Sequence, residues 1–161
     1  MNRYALLHQP ESRFAYASKD NGLTVILRAA ANDALTVETL YNNKYAFTEN
    51  RFAVTMKKCA DDGIFAYYRA DLKLADARFA YIFRITEGDK VYFFSEEGLT
   101  SDYDFERAYY TFFQFAFVNP VDVMPVVDWA QEAVFYQIFV DRFARGDTEK
   151  DQTYINTRWD G

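Results

Sequence analysis

Few side chains in this sequence are placed to do covalent chemistry. The adjacent acids Asp61-Asp62 and Glu96-Glu97, and the spaced pair Asp102/Asp104, are of the type needed for acid–base work. Each sits among turn-forming residues, so the expectation is a solvated turn with no catalytic role. Histidine occurs once, at His8, and cysteine once, at Cys59. A zinc site needs several nitrogen or sulfur ligands, so His8 is read as a structural hydrogen-bonding group. Cys59 lies beside Lys57 and Lys58, which favour a thiolate, but a lone thiol at a strand end is read as inert. The richer pattern is aromatic. Tyr41, Tyr45 and Phe47 stand among Asn42, Asn43, Lys44, Asn50 and Arg51. Exposed rings beside amides and cations suit a sugar, whose C–H faces stack on the ring while its hydroxyls bond the polar neighbours. Tyr41, Tyr45 and Phe47 are therefore the candidate carbohydrate-binding residues. For Tyr41 the favoured reading is cover for the edge of the core; for Tyr45 both readings stay open. Tyr67, Tyr68, Tyr109 and Tyr110 rank second and are read as core or interface.

The elements that position these residues follow from composition and pattern. Half of the 161 residues are hydrophobic, with 16 Phe and 13 Tyr, which supports a packed core and argues against disorder. The length allows one domain, or one domain and part of another. A net charge of -6 argues against a nucleic-acid partner. No apolar run approaches the roughly 20 residues that cross a bilayer, and the first residues lack the apolar core and cleavage site of a signal peptide. With a single cysteine and no internal disulfide, the expectation is a cytoplasmic protein without a membrane partner.

Residues 1–119 read as successive short strands. Leu23–Arg28 follows the turn Asp20-Asn21-Gly22, and Leu35–Tyr41 follows Asn32-Asp33. Phe52, Val54 and Met56 alternate with Ala53, Thr55 and Lys57; Asp61-Asp62-Gly63 leads into Ile64–Leu72. Arg78–Thr86 is a strong strand, with Phe79, Tyr81, Phe83 and Ile85 on one side and Arg78, Ala80, Ile82 and Arg84 on the other. Glu87-Gly88-Asp89 turns it into Val91–Phe94, and a last strand lies around Thr111–Val118. The predicted fold is all-β, an antiparallel sandwich of Ig-like size. Residues 120–128 read as a linker, because Pro120 and Pro125 discourage regular pairing.

A second unit is expected from Trp129 to Gly161. Ala133–Val140 is a nearly continuous apolar run, which suits a strand buried on both faces of a parallel sheet. A polar loop, Asp141–Asp147, follows it. One such strand is not a domain, so the chain is expected to be the front part of a larger protein.

This run carries a family resemblance. After Trp129 and a short acidic turn come Ala133-Val134-Phe135-Tyr136-Gln137-Ile138-Phe139-Val140-Asp141-Arg142-Phe143-Ala144-Arg145-Gly146-Asp147. It resembles the first barrel strand and loop of the alpha-amylase family of glycoside hydrolases, in particular the neopullulanase, cyclomaltodextrinase and maltogenic amylase group. Val140 replaces the usual Pro and Arg145 the usual Asn. Upstream, His8-Gln9-Pro10 with Phe14-Ala15-Tyr16, the loop from Leu40 to Tyr45, Arg78–Phe83 and Tyr92–Gly98 are similar to the β-sandwich, of starch-binding-module type, that precedes these barrels.

The resemblance implies an enzyme that cleaves α-1,4 or α-1,6 glucosidic bonds of maltodextrin, cyclodextrin or pullulan with retention, through carboxyls roughly 5 Å apart. Those carboxyls would come from later barrel strands of a (β/α)8 barrel, so this chain is expected to lack them and to be inactive alone. It implies an α-glucan partner and a homodimer, in which an aromatic of the 41–47 loop reaches the partner subunit's cleft; Tyr45 is the residue that corresponds. It also implies a calcium site after the first barrel strand in many relatives, where Asp147 and Asp151 align. Here Arg145 and Lys150 stand at the Asn positions, so ion pairs are expected in place of calcium, and no cofactor is required. The rival reading is a non-enzymatic Ig-like interaction or adhesion domain, which the Tyr136-Gln137-Ile138-Phe139 run does not fit.

Overall fold

The strand Phe79–Glu87 (β7) sets the centre of the fold, because residues 79–83 are apolar on both faces and fully buried. A computed structural model describes residues 1–107, 111–123, 127–139 and Phe143. It divides into two units, Met1–Met124 and Pro125–Gly161.

In the first unit, the described residues form two antiparallel sheets. One contains Ala15–Ser18 (β1), Gly22–Ala30 (β2), Lys57–Asp61 (β5) and Phe65–Lys73 (β6), in the order β1-β2-β6-β5. The other contains Thr36–Asn43 (β3), Phe52–Thr55 (β4), β7, Lys90–Ser95 (β8), Gly98–Thr100 (β9) and Phe113–Phe115 (β10). Its order is β4-β3-β7-β8-β9, and β10 pairs with β7 next to the stretch that β8 pairs.

The alternation of β2 explains the core. Leu23, Val25, Leu27 and Ala29 are fully buried and face Leu72, Ala70, Tyr68 and Ala66 of β6 in register. Large pairs (Leu23 with Leu72, Leu27 with Tyr68) alternate along the two strands with pairs that contain alanine (Val25 with Ala70, Ala29 with Ala66). Val37, Phe79, Tyr81, Phe83, Ile85 and Phe113 of the other sheet join the same cluster. A core shared by two inner faces makes this a β-sandwich. The outer face of the six-stranded sheet carries a second cluster, in which Leu40, Ala80 and Ile82 are covered by Phe47 and Phe112.

Turn chemistry fits the sequence. Asp20 and Asn21 take left-handed backbone angles between β1 and β2, which Asp and Asn tolerate better than other side chains. Gly22 follows, and a Cβ there would run into Ser18 Oγ.

Two expectations change. Residues 52–57 are not one strand: Met56 N donates to Val37 O at 2.8 Å, β4 ends on one sheet, and β5 begins on the other. Alternation continues through this corner, so the pattern hides it. β5 is an exposed edge with Lys57, Lys58 and Asp61, and its register breaks between Lys58 and Ala60; charge and a bulge both discourage further pairing. The short strands β1 and β9 also went unpredicted.

In the second unit, Asp128–Glu132 forms one helical turn (α1). Residues 133–139 form no strand, in contrast to the expected run Ala133–Val140. A strand exists through hydrogen bonds to neighbours, and the described residues of this unit contain no second strand to supply them. Val134 is 97% exposed and Phe135 72%. Trp129 and Phe135 lie with ring centroids 6.0 Å apart.

Candidate functional site

Of the candidate sugar-contacting residues Tyr41 lies near the end of β3, and Tyr45 and Phe47 lie in the loop after it; the structure separates their roles. Phe47 is fully buried, its ring 5.1 Å from Phe112 and 6.2 Å from Phe105. It anchors the loop and offers no face for stacking; the expectation of an exposed ring is corrected by this packing. Tyr41 is half-buried at the edge of the main core, 5.6 Å from the exposed Phe52 across the β3–β4 pair. Tyr45 is 72% exposed. The Lys44 ammonium lies 5.1 Å from the centre of its ring. A cation beside an exposed ring supplies a stacking surface and a hydrogen-bond donor together.

Local bonds give the loop its shape. Asn43 Oδ1 accepts from Tyr45 N at 2.9 Å, and Lys44 N donates to Arg78 O at 3.1 Å. Ala46 O accepts from Glu49 N and Asn50 N. Asn42 Nδ2 donates to Asn50 O at 2.9 Å, which closes the base of the loop. Arg51 Nη1 donates to Phe47 O at 2.9 Å and Thr48 O at 3.0 Å, and its guanidinium carbon lies 4.0 Å from the centre of the Phe105 ring. Sequence reasoning placed Arg51 among the polar neighbours but missed this clamp. Its partner ring is far along the chain, so no local signal marks it.

Two concavities of about 310 and 390 Å³ lie elsewhere in the first unit. The larger is lined by Glu11, Ser12, Ala15, Tyr16 and Phe117, among others, and neither includes Tyr45.

The acid pairs are turn-builders. Asp62 Oδ1 accepts from Ile64 N at 2.9 Å and Phe65 N at 2.6 Å. These amides hold its carboxyl below the usual range. Asp61 pairs with Lys58 and accepts from Gly63 N, and it is shifted down for that reason. A general acid needs the opposite shift. Asp102 accepts from Tyr103 N and Asp104 from Glu106 N, again within turns. Among the described residues no group of three His, Cys, Asp or Glu side chains could hold a metal ion. Asp147 and Asp151, the aligned calcium ligands, lie outside the described residues, as do Tyr109 and Tyr110. Tyr68 is core, and the Tyr67 hydroxyl reaches Asp62 at 3.3 Å.

His8 is buried and structural. Its Nδ1 lies 2.8 Å from Ile26 O and its Nε2 2.9 Å from the Tyr81 hydroxyl. A carbonyl can only accept, so Nδ1 carries the proton and Nε2 accepts from Tyr81. Burial lowers the His8 pKa to about 4, and burial raises that of Tyr81. Cys59 is exposed, with its thiol donating to Tyr67 O at 3.4 Å.

A family profile described as "Alpha amylase, N-terminal ig-like domain" matches residues 1–119. The chain belongs to this family. Similarity runs past that domain. Neopullulanase 2 of Thermoactinomyces vulgaris is 36% identical over 91% of this chain and 25% of its own length. A cyclomaltodextrinase of a Bacillus species is 32% identical over 91% of this chain and 26% of its own length. A solved cyclomaltodextrinase superposes with a TM-score of 0.72 at 31% identity, covering 92% of this chain and 25% of that one. The chain thus spans about a quarter of the length of the curated relatives it matches. Among the described residues no helix is long and apolar enough to cross a membrane.

Proposed function

We propose that this chain is the amino-terminal module of an alpha-amylase-type glycoside hydrolase acting on α-glucans such as maltodextrin, cyclodextrin or pullulan. In this reading the module contacts the sugar and contributes to a homodimer, and the protein works in the cytoplasm. The names of its relatives, neopullulanase and cyclomaltodextrinase, support the substrate class. The observation that carries the contact is the Tyr45 ring, exposed beside the Lys44 ammonium on a turn that Phe47 and Arg51 anchor. A glucose unit stacks its C–H face on the phenol ring and offers hydroxyls to the ammonium. No cofactor is needed for that contact.

The bond-breaking step belongs to carboxyls outside this chain. A retaining hydrolase needs one carboxyl kept protonated near neutral pH and a second as nucleophile. The acids at 61 and 62 are held ionised instead. The chain alone therefore leaves pullulan and maltodextrin intact; release of reducing ends by the pure chain would refute this.

Isothermal titration with maltoheptaose tests the contact. Saturable binding that Tyr45→Ala weakens about tenfold is expected, since losing a ring stack of this kind costs of the order of 1–1.5 kcal/mol. Equal affinity of the two proteins would remove Tyr45 from the site.

A further inference from the structure

The exposed Tyr45 ring has few contacts of its own, so the backbone beneath it decides where it points. We infer that Arg51 is the positioning residue for Tyr45, an inference that rests on the sugar reading of Tyr45. The start of the loop is fixed by Asn43 Oδ1 on Tyr45 N and by Lys44 N on Arg78 O. Its far end has a different problem. Ala46 O takes both Glu49 N and Asn50 N, one turn of backbone hydrogen bonding that goes no further. The next two carbonyls, Phe47 O and Thr48 O, take their hydrogen bonds from Arg51 Nη1.

One guanidinium edge thus gathers both carbonyls while its flat face rests on Phe105, 4.0 Å from the ring centre. Phe105 also packs on Phe47. The loop end, the guanidinium and the ring beneath form one unit, and Phe47 plugs that unit into the second core cluster. Arginine suits the task because it donates in plane and stacks out of plane at once. Without it the two carbonyls turn to water, the 44–50 turn samples other shapes, and Tyr45 must be reordered on each binding event. That ordering cost appears as lost affinity.

The test is a double-mutant cycle read by isothermal titration of the 161-residue chain with maltoheptaose. Arg51→Met keeps the stem and removes the guanidinium. It is expected to weaken binding about fivefold when Tyr45 is present and less than about twofold in the Tyr45→Ala background, because residues acting through one another do not add. Arg51→Lys, whose ammonium still donates but does not stack as a plane, should fall between the parent and Arg51→Met. It carries the same cycle if the Met variant does not fold by circular dichroism. If the Arg51 variants bind as the parent does, or lose the same factor in both backgrounds, the positioning role is overturned. If Tyr45→Ala alone leaves binding unchanged, or the parent does not bind, the sugar reading of Tyr45 fails and the Arg51 role falls with it. Loss on Tyr45→Ala with none on Arg51→Met overturns only the Arg51 assignment.

Discussion

β7 and the segment 133–139 are both dense in apolar and aromatic residues, and they meet opposite fates. Phe79, Ala80, Tyr81, Ile82 and Phe83 are all fully buried. β7 has β3 along one edge and β8 and β10 along the other, and residues 79–83 are covered on both faces. In 133–139 the side chains of Val134, Phe135, Tyr136, Ile138 and Phe139 are exposed, and the described residues of that unit form no strand. The contrast teaches that an apolar run states how much surface asks for cover. The cover itself comes from elements distant in sequence, and strand formation depends on it.

Deleting one ring from each region is the strongest way to break this contrast. Phe83→Ala should lower stability by about 3–5 kcal/mol, the usual cost of emptying a packed aromatic site. Phe135→Ala should stay within about 0.5 kcal/mol, as surface changes do. Urea unfolding followed by circular dichroism measures both. Equal losses would mean that 133–139 is packed in solution.

Protons probe the same contrast more gently, because the buried ring His8 packs 4.7 Å from Phe83 and Phe113. Burial lowers its pKa to about 4, whereas an unfolded chain titrates near about 6.5. Between those values the unfolded state binds a proton that the folded state refuses. Stability is therefore complete above about pH 6.5 and falls as pH drops toward 4, by up to about 3 kcal/mol. A pH series of urea midpoints should show this slope, and His8→Gln should flatten it. A His8 ring that titrates near 6.5 by proton NMR would contradict the buried, hydrogen-bonded arrangement.

The smallest effect sharpens the difference between the two faces of β7 itself. On the outer face Arg84 pairs with Glu38 at 2.7 Å in register, partly exposed. Glu38→Gln should cost no more than about 1 kcal/mol and less in high salt. Thermal unfolding at two ionic strengths measures it; a loss as large as that of Phe83→Ala would overturn the ranking.

The sandwich was legible because alternation and turn residues carry it. Phe79, Tyr81, Phe83 and Ile85 read as one face, and they form one face. The corner at Met56 was not legible, since a chain that crosses between sheets keeps its alternation while changing partners. The candidate site was legible in part. Polar neighbours marked Tyr41, Tyr45 and Phe47 alike; the family resemblance singled out Tyr45, and it is exposed. Phe47 shared those neighbours, yet it is buried, because the rings that cover it, Phe105 and Phe112, lie far along the chain. The Arg51 clamp escaped for the same reason.

The central claim is that the exposed ring of the 44–51 loop meets α-glucan. An NMR titration of the isotope-labelled chain with β-cyclodextrin addresses it at residue level. The account predicts saturating shifts in the amides of Lys44, Tyr45 and Ala46, with β7 amides unmoved. Shifts confined to the concavity lined by Tyr16 and Phe117, or none at saturating sugar, would contradict it.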